Sequence, residues 1–207
     1  MTSRPAQAPN NLQGSIDNAI TAAKTLNASL DRLLRALSGA TSLSPARLEL
    51  LKRIEVLRLQ PYDDQTSRVT DHWVRGATIG YGRLIAQSEW KYFKNGITEE
   101  QADEMLQASV AQAESTVKRG LTTTVTANQF DALTLLAFNI GAGSSNRPGF
   151  SNSSVLRPIN DPQAKTPYPD LESAWKAWNR SHGNVSNGLI RRRNAEWDIF
   201  NSGIYEW

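Results

Sequence analysis

Cysteine is missing from the 207-residue chain, so disulfides, thiol nucleophiles and cysteine metal sites are excluded. Histidine occurs only as His72 and His182, far apart and without ligand-like spacing, which argues against a zinc site. No run approaches the ~20 apolar residues of a membrane span. The polar, proline-containing residues 1–11 lack an apolar signal-peptide core, and Lys24, Asp31, Arg32 and Arg35 break up the apolar positions that follow. The expectation is a protein made in the cytoplasm, not stably inserted in a membrane, and delivered by another system if its substrate lies outside. The formal charge of +3 is modest, and Arg191-Arg192-Arg193 is the one tight basic run. Nucleic-acid binding calls for a basic stripe with interleaved aromatics, so no nucleic-acid partner is expected. The weak positive balance also suits an anionic polymer such as a bacterial cell wall.

With 39% hydrophobic residues, the chain can bury a sizeable core in one domain or two small lobes. Residues 1–14 are rich in Pro, Asn, Gln and Ser and read as a loose tail. Ser15 is placed to cap a helix ending at Leu37 before Ser38-Gly39, with Ile16, Ile20, Ala23, Leu26, Leu30, Leu33, Leu34 and Leu37 at helical spacing. Residues 1–43 therefore form a tail and accessory helix, and residues 44–207 the main domain. The accessory helix either packs on the rest of the protein or docks a delivery or immunity partner.

Ser44-Pro45 starts a second helix, with Leu48, Leu51 and Ile54 as its buried stripe and Glu55 near its end. Residues 57–62, 68–74 and 77–84 read as strands of a small antiparallel sheet, with turns at Asp63-Asp64-Gln65 and Arg75-Gly76. Thr98-x-x-Gln101 is a capping box opening a long helix to Gly120, acidic at its start and basic at its end. Further helices are expected over 127–140, 153–157, 171–181 and 188–201, with loops filling 143–170.

The chemistry concentrates between Glu55 and Gly82. Glu55 ends an apolar helical run, Asp64 follows in a turn, and Thr78 opens the glycine-broken strand Thr78-Ile79-Gly80-Tyr81-Gly82. Glycosidic hydrolysis needs an acid for the leaving oxygen and a second carboxylate across the sugar. Each residue also has an ordinary structural reading. Glu55 can pair with Lys52, Arg53 or Arg58, Asp64 can shape an Asx turn, and Thr78 can serve strand propensity. Asp63 competes with Asp64.

The segment resembles the phage-type lysozymes of glycoside hydrolase family 24, with glutamate, an apolar-rich spacer, Tyr62-x-Asp64 and Thr78-Ile79-Gly80-x-Gly82. Gln129-Phe130-Asp131-Ala132-Leu133 continues the match, followed by Ala137-Phe138-Asn139-Ile140-Gly141 with Gly143. Gly188-Leu189-Ile190-Arg191-Arg192-Arg193 with Glu196 completes it, so that ordered motifs span roughly residues 46–203. The resemblance implies an α+β, lysozyme-like fold: a small antiparallel sheet lobe joined by a long helix to a helical lobe, besides the extra N-terminal helix.

It also implies a monomeric, cofactor-free muramidase acting on bacterial peptidoglycan by inversion, in the periplasm or at the wall, as a phage endolysin or a secreted antibacterial effector. Inversion would set the carboxyls about 6.5–9.5 Å apart. The catalytic residues carried over are Glu55, Asp64 and Thr78; the substrate-binding candidates are Asn139, Tyr81 and Arg191. A lytic transglycosylase and a catalytically silent wall-binding module are the alternatives. Two departures stand out: Arg83 where the family commonly has histidine, and a longer hairpin carrying Asp71, His72 and Trp73.

Overall fold

A computed structural model describes residues 14–16, 18–23, 26, 45–181 and 183–207. The chain divides into two units, Met1–Thr41 and Ser42–Trp207. In the first, residues 14–16, 18–23 and 26 are helical, with Ile16, Ile20 and Leu26 exposed. The remainder of the expected 15–37 helix, its stop at Ser38-Gly39, the tail before it and the Ser44 cap lie outside the described residues, as does His182.

The second unit begins with helix α1 (Pro45–Ile54). Its buried face is Arg47, Leu50 and Leu51, with Leu48 and Ile54 partly buried beside them. Fully burying each of the two leucines contributes ~1.5–3 kcal/mol. Arg47 was not expected inside. Its guanidinium donates to Glu114 and, at 2.6 Å, to Asp131, and the Tyr205 hydroxyl donates to the other Asp131 oxygen at 2.7 Å. This buried cluster ties α1 to α3 (Glu99–Gly120), α4 (Ala127–Ile140) and the C-terminal segment.

Strands β1 (Arg58–Asp63), β2 (Arg68–Val69), β3 (Ala77–Gly80) and β4 (Arg83–Leu84) form an antiparallel sheet in the order β2-β1-β3-β4. Two expected strands come out differently. The 68–74 strand stops after Val69, where the buried Thr70 turns its hydroxyl onto the His72 carbonyl at 2.7 Å. The 77–84 strand folds back on itself, because Gly80 and Gly82, at φ +65° and +85°, adopt left-handed backbone that glycine tolerates. In the hairpin extension Asp71 and His72 are exposed, whereas Trp73 packs against Ala77, Ile79 and Ile85 and donates its indole N–H to the Ile85 carbonyl at 2.9 Å. A short helix absent from the expectations, α2 (Trp90–Phe93), brings Trp90 and Phe93 onto the same cluster.

The Thr98 capping box opens α3, and Thr126 with Gln129 makes a second box for α4. Helix α5 (Leu156–Asn160) begins later than expected, after a 3₁₀ turn at Phe150–Asn152. Helix α6 (Leu171–Lys176) is shorter than expected. Beyond it, Gly183 at φ +81° closes a small hairpin of β5 (Arg180–Ser181) and β6 (Asn184–Val185). Helix α7 (Asn187–Ser202) follows. Trp175, Trp197 and Phe200 meet ring to ring, with centroids 5.2–6.0 Å apart, and fill the helical lobe. Among the described residues, no helix is long and apolar enough to cross a membrane.

Candidate active site

Glu55 follows the last residue of α1, and its backbone N–H still donates to the Leu51 carbonyl at 2.8 Å. One more helical hydrogen bond thus sets the position of Glu55 at the end of the packed helix. Its side chain is 21% exposed and opens on a cleft of about 460 Å³. The remaining walls come from the β3–β4 turn (Tyr81, Gly82, Arg83), one face of α3 (Gln112, Thr116) and the end of α4 (Phe138, Asn139).

Arg192 holds the acid from the far lobe. Its Nη1 lies 2.5 Å from Glu55 Oε1, while its Nε donates to Glu196 Oε1 at 3.1 Å. Glu196, almost fully buried, also receives the Trp175 indole N–H at 3.0 Å and pairs with Arg193 at 3.0 Å. Arg193 reaches on to donate to Asn139 Oδ1 in the cleft wall. Burial pushes the Arg193 guanidinium down to about 10, with Glu196 opposing and Arg192 adding to that shift, so it stays charged at neutral pH. A continuous ionic chain therefore runs from the lobe's aromatic core to Glu55. The second Glu55 oxygen is the one nearest Gly82: a Cβ on that glycine would sit 3.6 Å from Oε2.

Asp63 and Asp64 have different work. The Asp63 carboxylate accepts the Gln65 N–H at 3.0 Å and the Thr66 hydroxyl at 2.9 Å, which shapes the β1–β2 turn. Asp64 is exposed, and its backbone N–H donates to the Gly76 carbonyl at 3.1 Å. Thr78 is 2% exposed, and its hydroxyl donates to that same Gly76 carbonyl at 2.9 Å. One oxygen therefore fixes both residues. Tyr62 stands opposite Thr78 in the sheet. Burial raises its phenol pKa, and the negative charges of Asp64 and Glu55 raise it further against the opposing Arg58.

The expected site residues thus fall into groups. Glu55, Tyr81 and Asn139 line the cleft. Asp64 and Thr78 sit on the hairpin beside it and are not part of that lining. Tyr81 is 8% exposed, its pKa raised by burial and then by hydrogen bonding to Asp103, which also accepts from Lys52 Nζ at 2.6 Å. That places Tyr81 as a clamp of the turn against α1 and α3. Arg191 is exposed and outside the lining; the arginine of this run that reaches the acid is Arg192. Arg192 was missed as an individual residue, although the Arg192/Glu196 pair at i,i+4 on a helix was a usable signal.

A small antiparallel sheet and a helical lobe, with a cleft between them and a glutamate at its edge, define a lysozyme-like protein. The chain belongs to the phage lysozyme family, whose sequence model matches residues 52–196. It is 35% identical over 161 residues to the endolysin of Bacillus phage PZA, covering 78% of this chain and 55% of that protein. The chain thus spans about half the length of that curated relative. Among solved structures, the endolysin from Escherichia coli O157:H7 phage FAHEc1 superposes with a TM-score of 0.59 at 27% identity, covering 80% of this chain and 97% of the other. The muramidase domain of SpmX from Asticaccaulis excentricus does so with a TM-score of 0.56 at 30% identity, covering 78% and 98%.

Proposed function

We propose that the protein is a muramidase that hydrolyses the β-1,4 bond between N-acetylmuramic acid and N-acetylglucosamine in bacterial peptidoglycan. The observation that carries this reading is the carboxyl of Glu55, which opens on the cleft with Oε1 held by Arg192 and Oε2 toward Gly82. In the proposed reaction Glu55 protonates the leaving glycosidic oxygen. Water held by Asp64 and Thr78 attacks the anomeric carbon from the opposite face, inverting it. The shared Gly76 carbonyl supports this pairing, because it holds the Asp64 backbone and the Thr78 hydroxyl at one point of the hairpin. Asn139, oriented by Arg193, is suited to an N-acetyl group of the sugar. No cofactor is invoked, and the residues used come from one chain.

Residues 44–207 would form the catalytic domain. Residues 1–43 would be the tail and accessory helix, with docking of a delivery or immunity partner as the alternative role for that helix, and the enzyme would act at the wall as an endolysin or antibacterial effector. Mass spectrometry of fragments released from purified peptidoglycan tests the reaction. Reducing muramic-acid ends are expected. Anhydro-muramyl ends would make it a transglycosylase, and wall binding without release would make it a silent module; either overturns the proposal.

A further inference from the structure

Two helices of the helical lobe meet at one amide of the cleft wall. Asn139 lies in the last turn of α4 and is an exposed part of the cleft lining, whereas Arg193 of α7 is fully buried. The Arg193 guanidinium pairs with Glu196 at 3.0 Å, and its Nη2 donates to Asn139 Oδ1. Glu196 is fixed in turn by Arg192 Nε at 3.1 Å and by the Trp175 indole N–H at 3.0 Å. A guanidinium carries donors and no acceptor, so the amide can face it only with its oxygen. Turning the amide over would set N–H against N–H and leave a buried cationic donor unsatisfied. The Asn139 side chain is therefore held in one orientation, with Oδ1 committed to Arg193 and the Nδ2 amino group on the opposite side of the amide.

Resting on the muramidase reading, we propose that Asn139 binds the carbonyl oxygen of an acetamido group through Nδ2, with Arg193 as the positioning residue that sets this polarity. The cleft thereby prefers N-acetylated strands to N-deacetylated ones. A sugar without its acetyl group carries a free amine in that place and has no carbonyl oxygen for Nδ2. Once protonated, the amine offers donors alone, so donor would meet donor. A site built to hydrogen-bond one group rejects the analogue that lacks it, because its own polar atom is left unpaired. The ion pairs behind Arg193 lower the entropic cost of presenting the amide in the required orientation.

The test uses the full-length protein on purified glycan strands, native and chemically N-deacetylated, with re-acetylated strands as the control for strand damage. Wild type should show a KM about tenfold higher on deacetylated strands, the scale of one hydrogen bond, with kcat changed much less. Re-acetylation should restore the native KM. Asn139→Asp keeps the shape and an oxygen for Arg193 but replaces the donor with an acceptor. It should lose about tenfold on native strands and use deacetylated strands at least as well as native ones. Arg193→Met frees the amide to turn over and should shrink the wild-type preference, whereas Arg193→Lys, which still donates, should keep most of it. Asn139→Asp changes an exposed side chain, so the comparison stands even if Arg193→Met fails to fold. Wild type indifferent to N-acetylation, or Asn139→Asp with the wild-type preference, would overturn the assignment while leaving the muramidase reading intact. A folded Arg193→Met protein with the full preference would remove Arg193 as the positioning residue. No turnover of either substrate by wild type would bring down both readings.

Discussion

Arg192 Nη1 lies 2.5 Å from Glu55 Oε1 across 137 positions of sequence, binding helix α7 to the end of α1 at the cleft. Because Nε of the same guanidinium is committed to Glu196, the fork orients the acid as well as pairing with it. Arg192→Met should therefore lower kcat by about 10²-fold through a misplaced carboxyl. It should also cost about 1–3 kcal/mol of stability, because Glu196 loses one of its partners while Arg193 and Trp175 remain. Arg192→Lys, a point charge without the fork, should fall in between. Steady-state kinetics and denaturant melts check this, and wild-type kcat in Arg192→Met would contradict it.

Gly82 has a double requirement. At φ +85° any side chain costs about 1–2 kcal/mol, and a Cβ would stand 3.6 Å from Glu55 Oε2. Gly203, at φ +68° on the C-terminal cap of α7, shares the first requirement and is absent from the cleft lining. Gly82→Ala and Gly203→Ala should lose similar stability, while kcat falls only in Gly82→Ala. Equal kcat in both variants would remove Gly82 from the site.

The buried Arg47 cluster makes a stability prediction independent of catalysis. Removing the cation leaves Glu114 and Asp131 facing each other with much less compensation. Arg47→Met should cost about 3–5 kcal/mol, measured by urea unfolding. A loss below ~1 kcal/mol would mean the surrounding groups compensate for the missing charge, contrary to this account.

Most of the architecture was legible in the sequence where local signals were strong. Pro45 and the Thr98 capping box led to the right helices, and the 127–140 helix has its expected bounds. What was not legible depended on tertiary partners. A 3.6-residue pattern does not announce that Arg47 is the buried residue of α1, since that needs acids from two distant helices. Nor does an arginine triplet reveal which member faces the acid; the rotation of α7 exposes Arg191 and buries Arg192 and Arg193. The 171–181 helix was overextended because Gly183 acts through a hairpin turn two residues beyond it.

Acid should loosen the corner that holds Arg83. Hydrogen bonding to Arg83, then to the Ala86 N–H, lowers the Glu89 pKa below its ordinary 4.5. A depressed carboxylate stabilises the fold fully above that ordinary value, and the contribution is lost as pH falls through the lowered folded value. The stability gap between wild type and Glu89→Gln should accordingly narrow below about pH 4.5 and stay constant from there to neutrality. A gap that widens in acid would contradict the assignment; the pair is partly exposed, so the gap itself should be small.

The most direct test of the account is the turnover of purified peptidoglycan by wild type and Glu55→Gln, with folding verified for both. The substitution keeps the shape and a hydrogen-bond acceptor for Arg192 but removes the transferable proton. The account predicts soluble fragments with reducing muramic-acid ends from wild type, and a loss of at least ~10²-fold in the variant, at the scale of general-acid catalysis. Comparable release by a folded Glu55→Gln protein would contradict it.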